Sequence, residues 1–360
     1  LRRQRQMCIR DRQGAMVYSG DYRHNISFNI SHKASSRFQA NARFSYNQGK
    51  TYGMGTSGQT TRFNKMEHIL QYRPISGIKG SDTELLEGED PMFVDQQDNP
   101  MQNPIISARE EDRTRFTRNL QANGGFTFYF SKKLSFRNTI GTRYYLNRND
   151  QFNGDLSAYA KRSSIGGYIQ YAESNSFQTS NVLTFDNRYK KAHRFTLMLG
   201  QEWISSWSKS LRADANQFAN DDLGLNNMGA GVPTAISSSY INSNRMISWF
   251  TRANYNFKNK YLFTATLRAD GSSKFGHNHK WGVFPSVSGA WRMSEEPFIK
   301  KLNLFSDLKL RVGYGLAGNN RIGDFMSLDL LNSIKYANGS DIITGYIPSS
   351  IPSVDLQWEA

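Results

Sequence analysis

Residues 259–293 read NKYLFTATLRADGSSKFGHNHKWGVFPSVSGAWRM. The first arm alternates without a break: Tyr261, Phe263, Ala265, Leu267 and Ala269 against Thr264, Thr266, Arg268 and Asp270. Successive side chains of a strand point to opposite faces, so the arm is a ribbon with one apolar and one polar side. The second arm sets Trp281, Val283, Val287 and Trp291 against Ser286, Ser288 and Arg292, across a polar loop from Asp270 to Lys280. What covers the apolar side decides the fold.

Working outward, the same alternation recurs. Residues 21–31 place Tyr22, Ile26, Phe28 and Ile30 opposite Arg23, Asn25, Ser27 and Asn29. Residues 38–47 repeat it with Phe38, Ala40, Ala42, Phe44 and Tyr46. A strand ending in Phe126, Phe128 and Phe130 turns at Ser131–Lys133 into Leu134, Phe136, Ile140 and Tyr144. Further strands are expected near 174–189, 193–206, 243–257 and 308–314. Connections alternate in length. Those at 32–36, 131–133, 190–191 and 258–260 are short; those near 49–110, 148–173, 207–242 and 270–280 are long, and 294–307 is intermediate. A short helix is expected within the first long connection, at 64–72, and 317–360 reads as loop.

Short turns at one end and long loops at the other describe an outer-membrane barrel. Strands of about 9–11 tilted residues suffice to cross a bilayer. Phe128, Phe130, Phe136, Tyr189, Phe195, Tyr255, Phe257 and Tyr261 sit beside the short turns, where an aromatic girdle belongs. The fold class expected is therefore all-β: an antiparallel transmembrane β-barrel with short periplasmic turns and long extracellular loops. About ten strands are legible, more than the roughly eight of a packed barrel, so the polar face lines a wide interior. The rival reading is a secreted or surface β-sandwich that binds carbohydrate; it would bury the apolar faces against each other. A passive porin shares the barrel but carries no plug.

Composition is consistent with this. The 360 residues are 38% hydrophobic and 13% aromatic, with 29 Gly and 9 Pro, too aromatic for disorder. No run of about 18 apolar residues marks a membrane helix. Residues 1–13, LRRQRQMCIRDRQ, hold five arginines, one acid and the single cysteine, Cys8; without a strand period, they are expected to be a non-native or disordered basic leader. Residues 14–360 are expected to form one partial barrel domain. The formal net charge of +15 invites a nucleic-acid reading, but aromatics and arginines occupy opposite faces, whereas a stacking platform needs both on one surface. Nucleic acid is not expected.

Family-specific stretches lie in the last third: Arg268-Ala-Asp270-Gly271-Ser272-Ser273-Lys-Phe275-Gly276, Lys280-Trp281-Gly-Val-Phe284-Pro285-Ser, Trp291, Glu296 and Phe298, then Gly313-Tyr314-Gly315-Leu-Ala-Gly318-Asn319-Asn320. Here the chain resembles the SusC/RagA family, the TonB-dependent outer-membrane transporters of Bacteroidetes-type bacteria. Lys65–Pro74 and Phe177–Thr184 look similar to the same family. The resemblance implies a 22-stranded barrel filled by a plug and opened by TonB with ExbB and ExbD. It also implies a SusD-like lipoprotein cap, outer-membrane lipid around the wall, and import of oligosaccharides or peptides. Plug, TonB box, signal peptide and closing strands would belong to the full-length protein, of which this chain is expected to be a middle slice that neither closes nor transports alone.

Candidate chemistry is sparse. Gly313–Gly318 formally matches G-x-G-x-x-G, but Asn319 and Asn320 follow where a dinucleotide site needs a helix. His277 and His279 lie in a polar loop, as do the acids Glu87, Glu89, Asp90, Asp95 and Asp98, and read as solvated. No paired carboxylates or Ser/His/Asp set stands out, so neither an enzyme, a metal site nor a cofactor is expected. Tyr159, Tyr168, Tyr171, Trp207 and Tyr240 lie in or beside the long loops, where aromatic faces would stack on sugar rings or meet the partner lipoprotein.

Overall fold

A computed structural model describes residues 2–13, 17–53, 104–157, 159–160, 163–190, 192–233, 238–339, 341–349, 353 and 355–359. The expected helix at 64–72 and the acids between Glu87 and Asp98 lie outside them. The elements in chain order are β1 (Arg2–Gln13), β2 (Gly20–Lys33), β3 (Phe38–Tyr52), α1 (Pro104–Glu110), β4 (Glu111–Tyr129), β5 (Leu134–Asn153), β6 (Gly166–Tyr189) and β7 (His193–Asn216). After a 3-10 turn at Gly224–Ala230 come β8 (Val232–Pro233), β9 (Ser238–Phe257), β10 (Tyr261–Ser272), β11 (Trp281–Arg292), α2 (Pro297–Leu302), β12 (Lys309–Gly315), β13 (Leu331–Asn338) and β14 (Asp341–Pro348).

All the strands from β1 to β12 form one sheet in chain order, with the two-residue β8 set aside against β7. Every neighbouring pair is antiparallel. This meander contains each of the ten strands read from the alternation. The apolar face has no second layer on it among the described residues: Phe263, Leu267, Val283 and Val287 are each about half exposed. A sandwich would cover them. A barrel wall turns them to lipid.

The short turns are built by local chemistry. Ser35 Oγ accepts the amides of Arg37 and Phe38, and Ser131 Oγ those of Lys133 and Leu134, at 3.0–3.1 Å, the serine turn that reverses a chain tightly. Between β9 and β10, Lys258 and Asn259 both take positive φ, as the primed hairpin turn requires. Around this end runs a belt of rings: Phe38–Phe126–Phe136 on one stretch, and Tyr189–His193–Phe257–Tyr261–Trp291 on another, at centroid spacings of 4.8–6.4 Å.

Four features differ from the sequence reading. Strands at the loop end run longer than expected: β6 and β7 have 24 residues each, so much of 148–173 and 207–242 is wall rather than loop. Once two strands pair, polar alternation satisfies the ladder as well as apolar alternation does. Second, β13 and β14 pair as a separate hairpin, so 317–360 is not one loop. Third, α1 and α2 are short helices with too few turns to show a period. Fourth, residues 2–13 pair along β2 as β1, where no strand was expected; an open edge offers unpaired N–H and C=O groups to any extended chain, whatever its side-chain pattern.

Candidate functional site: the polar wall at the loop end

Strand parity and register assemble the site. Arg143, Ser176, Ser206 and Asn244 share one row across β5, β6, β7 and β9. Tyr145, Ser174, Ser208 and Asn242 form the next row toward the loops. All eight point to the polar face. Short serines in the middle of both rows leave a hollow of about 280 Å³, to which Asp324, from the segment after β12, adds a carboxylate. Arg143 is held by Asn119, its Nε donating to Oδ1 at 2.9 Å, and lies over the Tyr145 ring at 5.6 Å. Asp324 accepts from Asn244 Nδ2 at 3.3 Å and pairs with Lys274 at 3.4 Å, so the segment after β12 is latched inward over the wall.

Below this grid lies a charged knot. Glu202, Ser248 and Asp270 stand in one row. Arg268 binds all three: Nε to Asp270 at 2.7 and 2.9 Å, Nη2 to Glu202 at 2.9 Å and to Ser248 at 3.0 Å. Its guanidinium also packs over Phe250. The hollow itself offers hydroxyls, amides, one guanidinium, one carboxylate and one phenol ring. Such groups recognise a polar ligand without reacting with it.

The sequence profile of the family described as TonB dependent receptor-like, β-barrel matches residues 80–341. The chain belongs to that family. It is 32% identical to a TonB-dependent receptor of Formosa agariphila over 69% of its length, and 30% identical to the TonB-dependent receptor SusC of Bacteroides thetaiotaomicron over 61%. It spans 25% and 20% of those two proteins respectively. In fold it is similar to the RagAB peptide transporter, with a TM-score of 0.73 and 20% identity, covering 94% of this chain and 37% of that one. TonB-dependent receptors are receptors and transporters of the outer membrane rather than enzymes.

The residues of the stretches singled out in the last third of the sequence pack together. Phe275 and Phe284 are buried, and both pack on Trp358 at 4.8 and 5.2 Å. Trp358 Nε1 donates to the Lys280 carbonyl, Gly276 N to that of Leu356, and Asn319 N to that of Glu359. Gly318 lies flat on the Phe284 ring, where a Cβ would collide with it; Gly315 approaches Ser286 and Gly271 approaches Trp281 in the same way. Ser272 is buried, and Ser273 exchanges two hydrogen bonds with the Arg245 backbone. Pro285 stands opposite Leu267, while Trp281 and Tyr314 face outward and are largely exposed. The glycines at Gly313–Gly318 thus serve close packing, and no helix follows them.

The five loop aromatics do not converge. Tyr168 and Tyr240 share the polar face, and Tyr168 lies under the Arg212 guanidinium at 3.7 Å while its hydroxyl donates to Gln151. Tyr171, beneath Arg148, and Trp207 belong to the apolar face, and Tyr159 follows β5 in the connection to β6. The grid residues were not singled out from the sequence. Their signal was the polar pattern of Ser174-Asn175-Ser176, Ser206-Trp207-Ser208 and Asn242-Ser243-Asn244, which stands at or just past the ends of the expected strands, where a short polar side chain marks a wall and a loop edge alike.

Proposed function

We propose that this chain is part of the wall of a SusC/RagA-type outer-membrane active transporter that imports oligosaccharides or peptides. It works with a SusD-like surface lipoprotein and is energised by TonB, ExbB and ExbD through other parts of the full-length protein. The supporting observation is the two-row grid of Arg143, Tyr145, four serines and two asparagines on the polar face at the loop end. Ligand is held there by hydrogen bonds and by the Tyr145 ring; an energy-coupled rearrangement then releases it inward. The chain carries no catalysis and no cofactor in this reading. Tyr168 and Tyr240, on the same face, extend the binding wall, while Tyr159, Tyr171 and Trp207 meet the loops or the lipoprotein.

The test is the full-length gene expressed with its signal peptide. Outer-membrane fractionation and a gel run with and without boiling should show heat-modifiable migration; soluble protein without that shift overturns the reading. Uptake of labelled oligosaccharides and peptides then names the substrate. Arg143→Ala together with Asn244→Ala should reduce ligand binding about tenfold or more, the loss of one to two polar contacts, without abolishing the heat shift.

A further inference from the structure

On the apolar face, the loop end of the wall changes character within two rows. Tyr46, Leu120 and Tyr144 stand side by side on β3, β4 and β5. One row nearer the loops is Arg118, and one further are Lys50, Phe116 and Arg148 in register. Arg118 lies over the Phe116 ring at 4.7 Å, and Lys50 and Arg148 flank that residue on the neighbouring strands. Lys50 lies toward the Tyr52 ring at 6.0 Å and Arg148 over Tyr171 at 5.1 Å, so three cations stand within two adjacent rows of the wall. Arg148 is paired with Asp150 at 2.8 Å, whereas neither Lys50 nor Arg118 has an acidic partner among the described residues. These residues line one cavity of about 850 Å³. The cavity also carries the carboxylates of Glu110, Asp112, Asp150, Asp221 and Asp222; Asp150 is taken by Arg148, and none of them pairs with Lys50 or Arg118.

Height along the wall decides what meets these cations. From Tyr129, at the short-turn end of β4, to Phe116, a strand tilted by about 40° climbs roughly 33 Å, and the hydrocarbon core is about 30 Å thick. The cations thus stand at the head-group level of the outer leaflet. Directly beneath them the same strands present Phe44, Leu120, Ala122 and Ile140, a wall for acyl chains. Lys50 and Arg118, which have no acidic partner among the described residues, favour an anion beside the Arg148–Asp150 pair, and guanidinium and ammonium groups bind phosphate oxygens well.

We propose that Lys50, Arg118 and Arg148, around Phe116, bind the phosphorylated head group of an outer-leaflet lipid whose acyl chains lie on the apolar wall below. The proposal rests on the outer-membrane reading but not on the transported substrate. Native mass spectrometry of the full-length protein, extracted in mild detergent, should show a retained phosphorylated lipid. Lys50→Glu with Arg118→Glu should lose at least nine-tenths of it, and Lys50→Arg with Arg118→Lys should keep it. Full retention by the glutamate pair overturns the proposal, as does an equal rise in melting temperature from inorganic phosphate and from phosphorylated lipid. Should the glutamate pair lose heat-modifiable migration, Lys50→Gln with Arg118→Gln is measured in its place and the same outcomes apply. A soluble protein in the fractionation test would instead defeat the membrane reading itself.

Discussion

Glu296, in the link between β11 and β12, accepts hydrogen bonds from Lys260 Nζ at 3.0 Å, Tyr261 Oη at 2.9 Å and Trp291 Nε1 at 3.2 Å. It ties the β9–β10 turn to the end of β11 on the periplasmic side. The bond from Lys260, then those from Tyr261 and Trp291, hold its carboxyl below the ordinary glutamate range. A carboxyl lowered in the folded state adds stability that is present above the unfolded pKa and lost as pH falls through the folded one. Thermal melting of the full-length protein should therefore show a lower melting temperature for Glu296→Gln at neutral pH, with the gap closing as pH drops below the glutamate range; a gap independent of pH would sink this assignment. Gly318 makes a separate case: Gly318→Ala drives a Cβ into the Phe284 ring and should cost about 1–3 kcal/mol, read as a lower denaturant midpoint. Sequence reading placed Gly318 and Glu296 in a family motif. Their partners Phe284 and Lys260 are 34 and 36 residues away, and only folding joins them.

At the scale of strands, a row of amides crosses the mainly apolar stretch of the outer face near the short-turn end of β5, β6 and β7. Asn138 Nδ2 donates to Asn181 Oδ1 at 2.8 Å, and Asn181 Nδ2 donates to Gln201 Oε1 at 3.0 Å. Phe136, Leu183 and Leu199 form the row below, and Ile140, Thr179 and Trp203 the row above. Facing lipid, each amide depends on its neighbour, because hydrocarbon supplies no hydrogen bonds. Asn181→Leu alone should then cost about 1–3 kcal/mol by stranding Gln201 and leaving Asn138 only a long bond to Thr179 Oγ1 at 3.5 Å, while replacing all three with leucine should return stability close to wild type. Urea unfolding in vesicles measures both; additive losses across the three sites would refute the ladder. The individual strands were legible from period-2 alternation, and the turns from Ser35, Ser131 and Lys258-Asn259. Their ends were not legible, since Ser, Asn and Tyr serve a paired wall and a loop equally well.

For the molecule as a whole, the lipid-facing assignment has a direct test. Leu267 points outward and is about half exposed; it stands roughly 15 Å above the short-turn end of β10, near the bilayer midplane. Leu267→Arg should cost about 2–4 kcal/mol in vesicles. Thr266→Arg, one residue away on the polar face, should cost well under 1 kcal/mol. Equal costs at both positions would mean that the apolar face does not meet lipid.

Alternation of apolar and polar residues, with short turns opposite long connections, was enough by itself to specify an antiparallel barrel wall and its two faces. Side-chain period is a local property of the strand, and turn chemistry spans only a few residues, so both are written in the linear order. Register is different. That Arg143, Ser176, Ser206 and Asn244 share a row, that Arg118 and Lys50 meet around Phe116, and that Asn138, Asn181 and Gln201 hand on one hydrogen-bonded chain depends on how each strand slides against the next. Sliding by one residue would send every one of these side chains to the opposite face. Only the assembled sheet decides it.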